Sequence, residues 1–466
     1  MNQNVVIRLL NALNQKELKK LKKFLASPFF NTRADVCFLF ELYLTSPSFF
    51  SPPLDKLALF NKVYPEETFD DAKIRHLLSY LSKLVKQFYM QLNYQSDRIK
   101  QHLDLLEQLK LKGLNKSFEH EWTKTDQFLQ KQDYRNSNFY YQQHILQGQK
   151  AEELFKLKRQ GEMSDFQIAK NLQLFFVARI LRQSCSILTY QKMSDKSEGF
   201  ELLDEVLSMV ERFNLTEIPV IAIYNSSVLT LKYPEQEENY QQLIKLLQQH
   251  WHIFPTNELR DIHLLAINYC IKKLNHGNQG YIREAFELYR SGLKKEVLFE
   301  SGLLSPFTYK NILKLGLELK EFDWIDQYLD QYKKHLNPSD SNNHYTYCRA
   351  VFYFNTKKYS EVLKLLQKVS FKDKLYELDS RRMLLIIYYE GQAYNSLESL
   401  LKSFKTYIHR QKDLGYHKEN YINLLFFVNK FLKENLQNKE TRKKLINEIN
   451  KTKALAGRRW LLGLLE

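Results

Sequence analysis

Two tandem copies of one pattern limit what this chain can fold into. Ala350, Tyr353, Tyr359, Val362 and Leu366 form the first copy, and 35 residues later Leu385, Tyr388, Tyr394, Leu397 and Leu401 hold the same offsets. The polar break Asn355-Thr356-Lys357-Lys358 splits the first copy, and Glu390-Gly391-Gln392 splits the second. Each copy reads as helix, tight turn, helix. A lone helical hairpin cannot bury both its faces, so two in register predict stacking. Stacked hairpins make a scaffold, and a scaffold holds partners.

The opening of the second helix can be followed backwards. Tyr359-Ser360-Glu361-Val362-Leu363 is preceded by Phe322-Asp323-Trp324-Ile325 and by Ile282-Arg283-Glu284-Ala285-Phe286. Before those come Tyr240-Gln241-Gln242-Leu243-Ile244 and Phe200-Glu201-Leu202-Leu203-Asp204. From Phe200 onward the spacings are 40, 42, 40, 37 and 35 residues. This series resembles the tetratricopeptide-like helical repeats, whose second helix has a Tyr-x-Glu-Ala-Leu-like opening. The openings at Ile282 and Tyr359 match it best, and the resemblance covers residues 200–410. The small residue of the family's first helix is present as Ala350, whereas Leu313 and Leu385 stand at the same place in the neighbouring units. The resemblance implies a right-handed superhelix with a concave face.

Glycine (13) and proline (10) are scarce, and no proline occurs between Pro65 and Pro219, a run that long helices tolerate and strand-and-turn proteins do not. The expected class is therefore all-α: a helical-hairpin repeat solenoid behind a compact N-terminal helical domain. Length argues for several cores or an extended array. The expected organisation is an N-terminal domain over 1–92, long helices with degenerate repeats over 93–213, repeats over 214–435 and a basic capping helix over 436–466.

Within the first domain, Asn14 is placed to cap a helix over 15–25, with Leu18, Leu21 and Leu25 on one side and Lys19, Lys20, Lys22 and Lys23 largely opposite. Helices are expected over 33–45 and 54–63. Thr68 and Asp71 form a capping-box-like pair before a long helix lined by Ile74, Leu77, Leu78, Leu81, Leu84, Val85 and Phe88. At the other end, Trp460-Leu461-Leu462-Gly463-Leu464-Leu465 follows a basic stretch and suits a terminal cap on the last hairpin better than a membrane anchor.

Four cysteines, Cys37, Cys185, Cys270 and Cys348, lie too far apart for a short metal-binding spacing and read as buried free thiols of a reducing compartment. The N-terminus lacks a signal-like basic and apolar pair, and no apolar run reaches the length of a membrane span, so a cytoplasmic location is expected. The net charge of +16 is concentrated at the ends: a surplus of 5 over residues 1–110, none over 111–300 and 11 over 301–466. Such ends favour acidic partners, although solvated helix faces account for them too.

A search for chemistry finds little. His120-Glu121 begins a zinc-protease helix motif, but Lys124 occupies the second histidine's place. Asp323 and Asp326 are neighbouring carboxylates of the kind usually solvated. No catalytic, cofactor-binding or metal-binding residue is assigned, no cofactor is expected, and the chain is read as a non-enzyme. The leading reading is a scaffold that binds a peptide or protein. The alternative is a helical repeat that contacts nucleic-acid phosphates through its basic ends. Against base readout, Asn311, Cys348 and Met383 form no polar code at equivalent first-helix positions.

In the resembling families the first helix of each pair lines the concave face. With the register set on Ala350, this implies that Tyr347 and Val351 face outward there. Equivalent offsets add Arg382 and Ile386 in the next unit and Lys310 and Lys314 in the one before, with Tyr389 near the edge. Lys and Arg offer only donors, and Arg can grip a carboxylate with two bonds, so an extended acidic peptide is the expected ligand.

Overall fold

The start of the chain shows local chemistry setting the element ends. In the computed structural model, α1 (Val5–Asn11) is followed by Asn14, whose side chain accepts from the backbone N–H groups of Lys16 and Glu17. Glu17 in turn accepts from the Asn14 N–H at 2.9 Å, completing a reciprocal cap that starts α2 (Gln15–Leu25). Leu18, Leu21, Phe24 and Leu25 of α2 are buried, and Lys19, Lys20, Lys22 and Lys23 are exposed. Three further helices, α3 (Ala34–Thr45), α4 (Lys56–Val63) and α5 (Asp71–Ser96), share one hydrophobic core with α1 and α2. The cap of α5 differs from the expected Thr68–Asp71 pair. Asp70 accepts from the N–H groups of Ala72 and Lys73, while Asp71 is drawn to Lys56 at 2.9 Å and Arg75 at 2.7 Å.

The structure describes residues 4–51, 54–156, 165–194, 200, 202–369, 374–411 and 414–466; Glu201 of the earliest second-helix opening lies outside them. Two compact units are present, Met1–Asn225 and Ser226–Glu466. In the first, α6 (Arg98–Leu111), α7 (Asn115–Gln130) and α8 (Ser137–Lys156) build a second core around Ile99, Leu106, Phe118, Leu129 and Leu146. A long α9 (Asp165–Ser194) packs along α8, and α10 (Leu202–Arg212) packs on α9. Next comes α11 (Pro219–Lys232), within which the division between the units falls.

The second unit continues with α12 (Glu237–His250), α13 (Thr256–Asn275) and α14 (Tyr281–Lys294). A two-residue ladder, β1 (Phe299–Glu300) antiparallel to β2 (Leu303–Leu304), is the one sheet among the described residues. Then follow α15 (Pro306–Glu318), α16 (Phe322–Tyr332), α17 (Ser341–Asn355), α18 (Tyr359–Leu366), α19 (Lys374–Glu390), α20 (Tyr394–Arg410) and α21 (His417–Lys433). From α12 to α21 each helix packs on the next, and α15 also packs on α17. Among the described residues the fold is all-α, 78% helical.

Four of these hairpins turn in the same way. After α13, the Asn278 N–H donates to the Lys273 carbonyl and the Gly277 N–H to that of Leu274. The same pair of bonds recurs after α15 (Glu321 to Gly316, Lys320 to Leu317), after α17 (Lys358 to Tyr353, Lys357 to Phe354) and after α19 (Ala393 to Tyr388, Gln392 to Tyr389). In each, the residue that donates the second of these bonds lies in the left-handed region: Gly277, Lys320, Lys357 and Gln392, with φ of 92°, 58°, 58° and 53°. This paired bonding satisfies the last carbonyls of one helix and sends the chain directly into the next. Lys320, Lys357 and Gln392 each follow Leu313, Ala350 and Leu385 by seven residues, so the turn and the sequence pattern share a register.

The chain ends in α22 (Lys439–Lys451) and α23 (Arg458–Gly463). Leu455, Leu461 and Leu465 join Leu397, Leu401, Leu424 and Val428 in one core, so the apolar end is packed inside the unit. Among the described residues, no helix is long and apolar enough to cross a membrane.

Candidate functional site

Lys310, Tyr347 and Arg382 come from three different first helices, and the structure brings them together. The ammonium of Lys310 on α15 lies 4.5 Å from the ring centre of Tyr376 and 5.8 Å from that of Tyr347. Those two rings stack at 4.1 Å and an angle of 7°, joining α17 to α19. The Tyr347 hydroxyl donates to Asp379 Oδ2 at 2.7 Å, and Arg382 Nε donates to Asp379 Oδ1 at 2.9 Å. The guanidinium of Arg382 also lies 5.4 Å from the ring centre of Phe354.

The electrostatics follow from that geometry. Burial pushes the Asp379 carboxyl up, but the charge of Arg382, the Tyr347 hydroxyl and the charge of Lys310 outweigh it and hold the group below the usual carboxylate range. Arg382 is raised: burial lowers it, and Asp379 more than compensates. Lys310 and Lys314 both lie close enough to the buried Cys348 thiol to act on it, although burial dominates and pushes that thiol up to about 12.

Three of the expected outward positions are corrected. Tyr347 and Ile386 are each only 2% exposed, and Arg382 is spent on Asp379. The reason is stacking: a first-helix position that faces outward from one hairpin meets the first helix of the next. Tyr347 is covered by Tyr376, and Ile386 joins the core that includes Leu397 and Leu424. Lys314 is exposed, without an ion pair among the described residues, while Lys310, Val351 and Tyr389 are half-buried. Tyr389 meets the indole of Trp460 edge-on at 5.4 Å.

Sequence reasoning missed three connections. Arg349, 7% exposed, reaches back from α17 to Asp326 and, at 2.7 Å, to Asp330 of α16, so Asp326 is more than a solvated carboxylate. Its sole sequence signal is an arginine on an otherwise apolar helix face next to Cys348 and Ala350. The second is Glu390, which accepts from the Tyr359 hydroxyl at 2.6 Å and from the Trp460 indole N–H at 3.0 Å. Arg459 meets Glu318 of α15 at 3.0 Å across 141 residues of sequence, a pairing no local pattern encodes.

Elsewhere, Glu121 meets His102 Nδ1 at 2.7 Å rather than a second helical histidine. Among the described residues no group of three His, Cys, Asp or Glu side chains could hold a metal ion. Compared with known proteins, the chain matches no family model, no curated protein and no solved structure.

Proposed function

We propose that the chain is a non-enzymatic scaffold whose helical hairpins, arranged as a tetratricopeptide-like right-handed array, hold a peptide or protein partner on the face of their first helices. The observation that carries this reading is the coincidence of one turn with the sequence pattern at Lys320, Lys357 and Gln392, each seven residues after the patterned first-helix position and each joining two packed helices. A unit repeated with its turn geometry intact presents equivalent surface positions at regular intervals, which suits an extended ligand.

The binding positions of this reading are Lys310, Lys314, Val351 and Tyr389, with Tyr347, Ile386 and Arg382 supporting them from beneath. Lys314 offers an uncommitted ammonium, and Lys310 is held over two aromatic rings. A ligand carboxylate is the complementary group.

The test is capture of partners from a lysate on immobilised full-length chain, followed by charge reversal. Lys314→Glu is expected to weaken the recovered partner roughly tenfold, since an exposed cation at an interface acts mainly through charge. Arg382 is left intact, because reversing it would break the Asp379 pairing. Unchanged affinity in Lys314→Glu and in Lys310→Gln would refute the assignment of this face. Recovery of nucleic acid in place of protein would favour contact through the basic ends.

A further inference from the structure

Between α19 and α20, a second surface gathers cations around an open space. An open surface groove of about 610 Å³ is lined by Arg381 of α19 and by Ser399, Lys402, Ser403, Thr406, Tyr407, Arg410 and Gln411 along and just beyond α20. No carboxylate is among the lining residues, and three of the eight are cations. Ser399, Lys402, Ser403, Thr406 and Arg410 recur at helical spacing, so they form one stripe along α20.

Arg381 is the organised member. Its Nε and Nη2 both donate to Glu377 Oε1, at 3.1 and 2.7 Å, and its guanidinium lies 4.7 Å from the ring centre of Tyr407. Because both bonds fall on that single edge, Nη1 remains for a ligand. Lys402 pairs with Glu398 at 2.9 Å, but their side chains are 77% and 69% exposed, and so open a pair exchanges readily. None of the described carboxylates pairs with Arg410.

We infer that this groove binds a small anion carrying at least two phosphate groups, either free or as a lipid headgroup. Charge sets the sign of the ligand, and spacing sets the number of groups. Lys402 and Arg410 stand about 12 Å apart along the axis of α20 and Arg381 approaches from α19, so the cations border an elongated open space rather than a single point. The groove is open to solvent and wider than a single oxyanion requires. Arginine and lysine donors on several sides suit phosphate oxygens, which only accept.

Calorimetry on the full chain at physiological salt tests the inference, with inositol hexakisphosphate, inorganic phosphate and phosphatidylcholine vesicles containing phosphatidylinositol bisphosphate as probes. One equivalent of inositol hexakisphosphate is expected to bind, with inorganic phosphate far weaker. Binding to the vesicles that free inositol hexakisphosphate competes away identifies a headgroup source; binding of the free anion without the vesicles identifies a soluble one. Lys402→Gln with Arg410→Gln is expected to weaken binding at least about tenfold. The same charge change at the exposed Lys443 and Lys444 of α22 is expected to leave it within about twofold. Both pairs are surface substitutions, and an unchanged thermal midpoint confirms that each variant is folded. Equal loss in the two double variants, or no saturable binding of either multivalent probe, would overturn the assignment.

Discussion

Lys357 and Gln392 occupy left-handed backbone that L-residues adopt at a cost, yet both turns are kept because each closes two hydrogen bonds onto the preceding helix. Lys357→Gly and Gln392→Gly are therefore expected to stabilise the protein by about 0.5–1 kcal/mol each, read as a rise in the denaturant midpoint. Gly316 shows the reverse constraint. A Cβ there would meet Ile325 of α16, with Cγ1 at 2.5 Å and Cδ1 closer still, so Gly316→Ala should cost about 1–3 kcal/mol by overpacking. Asp379 provides a pH test. Its folded pKa is depressed, so its contribution is present above the unfolded value of roughly 3.9 and is lost as pH falls through the folded one. Asp379→Asn should cost about 2 kcal/mol near neutrality. That difference from the parent protein should shrink in acid, and a constant difference across the titration would rule out the ionic account.

At the scale of elements, the sequence pattern located helix starts better than it located side chains. Tyr359 and Tyr394 begin α18 and α20, where the repeat places them. Equivalent places in two copies of one hairpin predict that both wedge against the preceding helix. Tyr359 is half-buried and gives its hydroxyl to Glu390, whereas Tyr394 is 56% exposed. Tyr394→Ala should thus change stability by less than about 0.5 kcal/mol, while Tyr359→Phe should cost about 1 kcal/mol through the lost hydrogen bond. Equal effects at the two positions would show that the equivalence of the hairpins extends to their side chains. The start of α5 teaches the same lesson: residue type marked the region, but the helix begins at Asp71, so Asp70 caps it and Asp71 pairs with Lys56 and Arg75.

For the whole molecule, the far end of the chain joins the core. Leu461 is fully buried with Leu424, Leu425 and Val428, and Arg459 and Trp460 reach Glu318, Glu390 and Tyr389. Leu461→Ala should then cost about 2–5 kcal/mol, as buried leucines do. Arg459→Ala, which removes an ion pair exposed on both sides, should cost almost nothing. Unfolding monitored by circular dichroism would separate the two.

The sequence by itself determined the helical class, the hairpin register and many of the helix boundaries, because periodicity, caps and breakers act over a few residues. It also singled out Lys310, Tyr347 and Arg382, which do meet. Only the tertiary structure decided what they meet. Asp379 claims Arg382, Tyr376 covers Tyr347, and the core around Leu424 takes Ile386. A helix face is legible from spacing, but whether it turns to solvent depends on the neighbour stacked against it. That neighbour lies tens of residues away, and for Glu318 and Arg459 it lies 141 residues away.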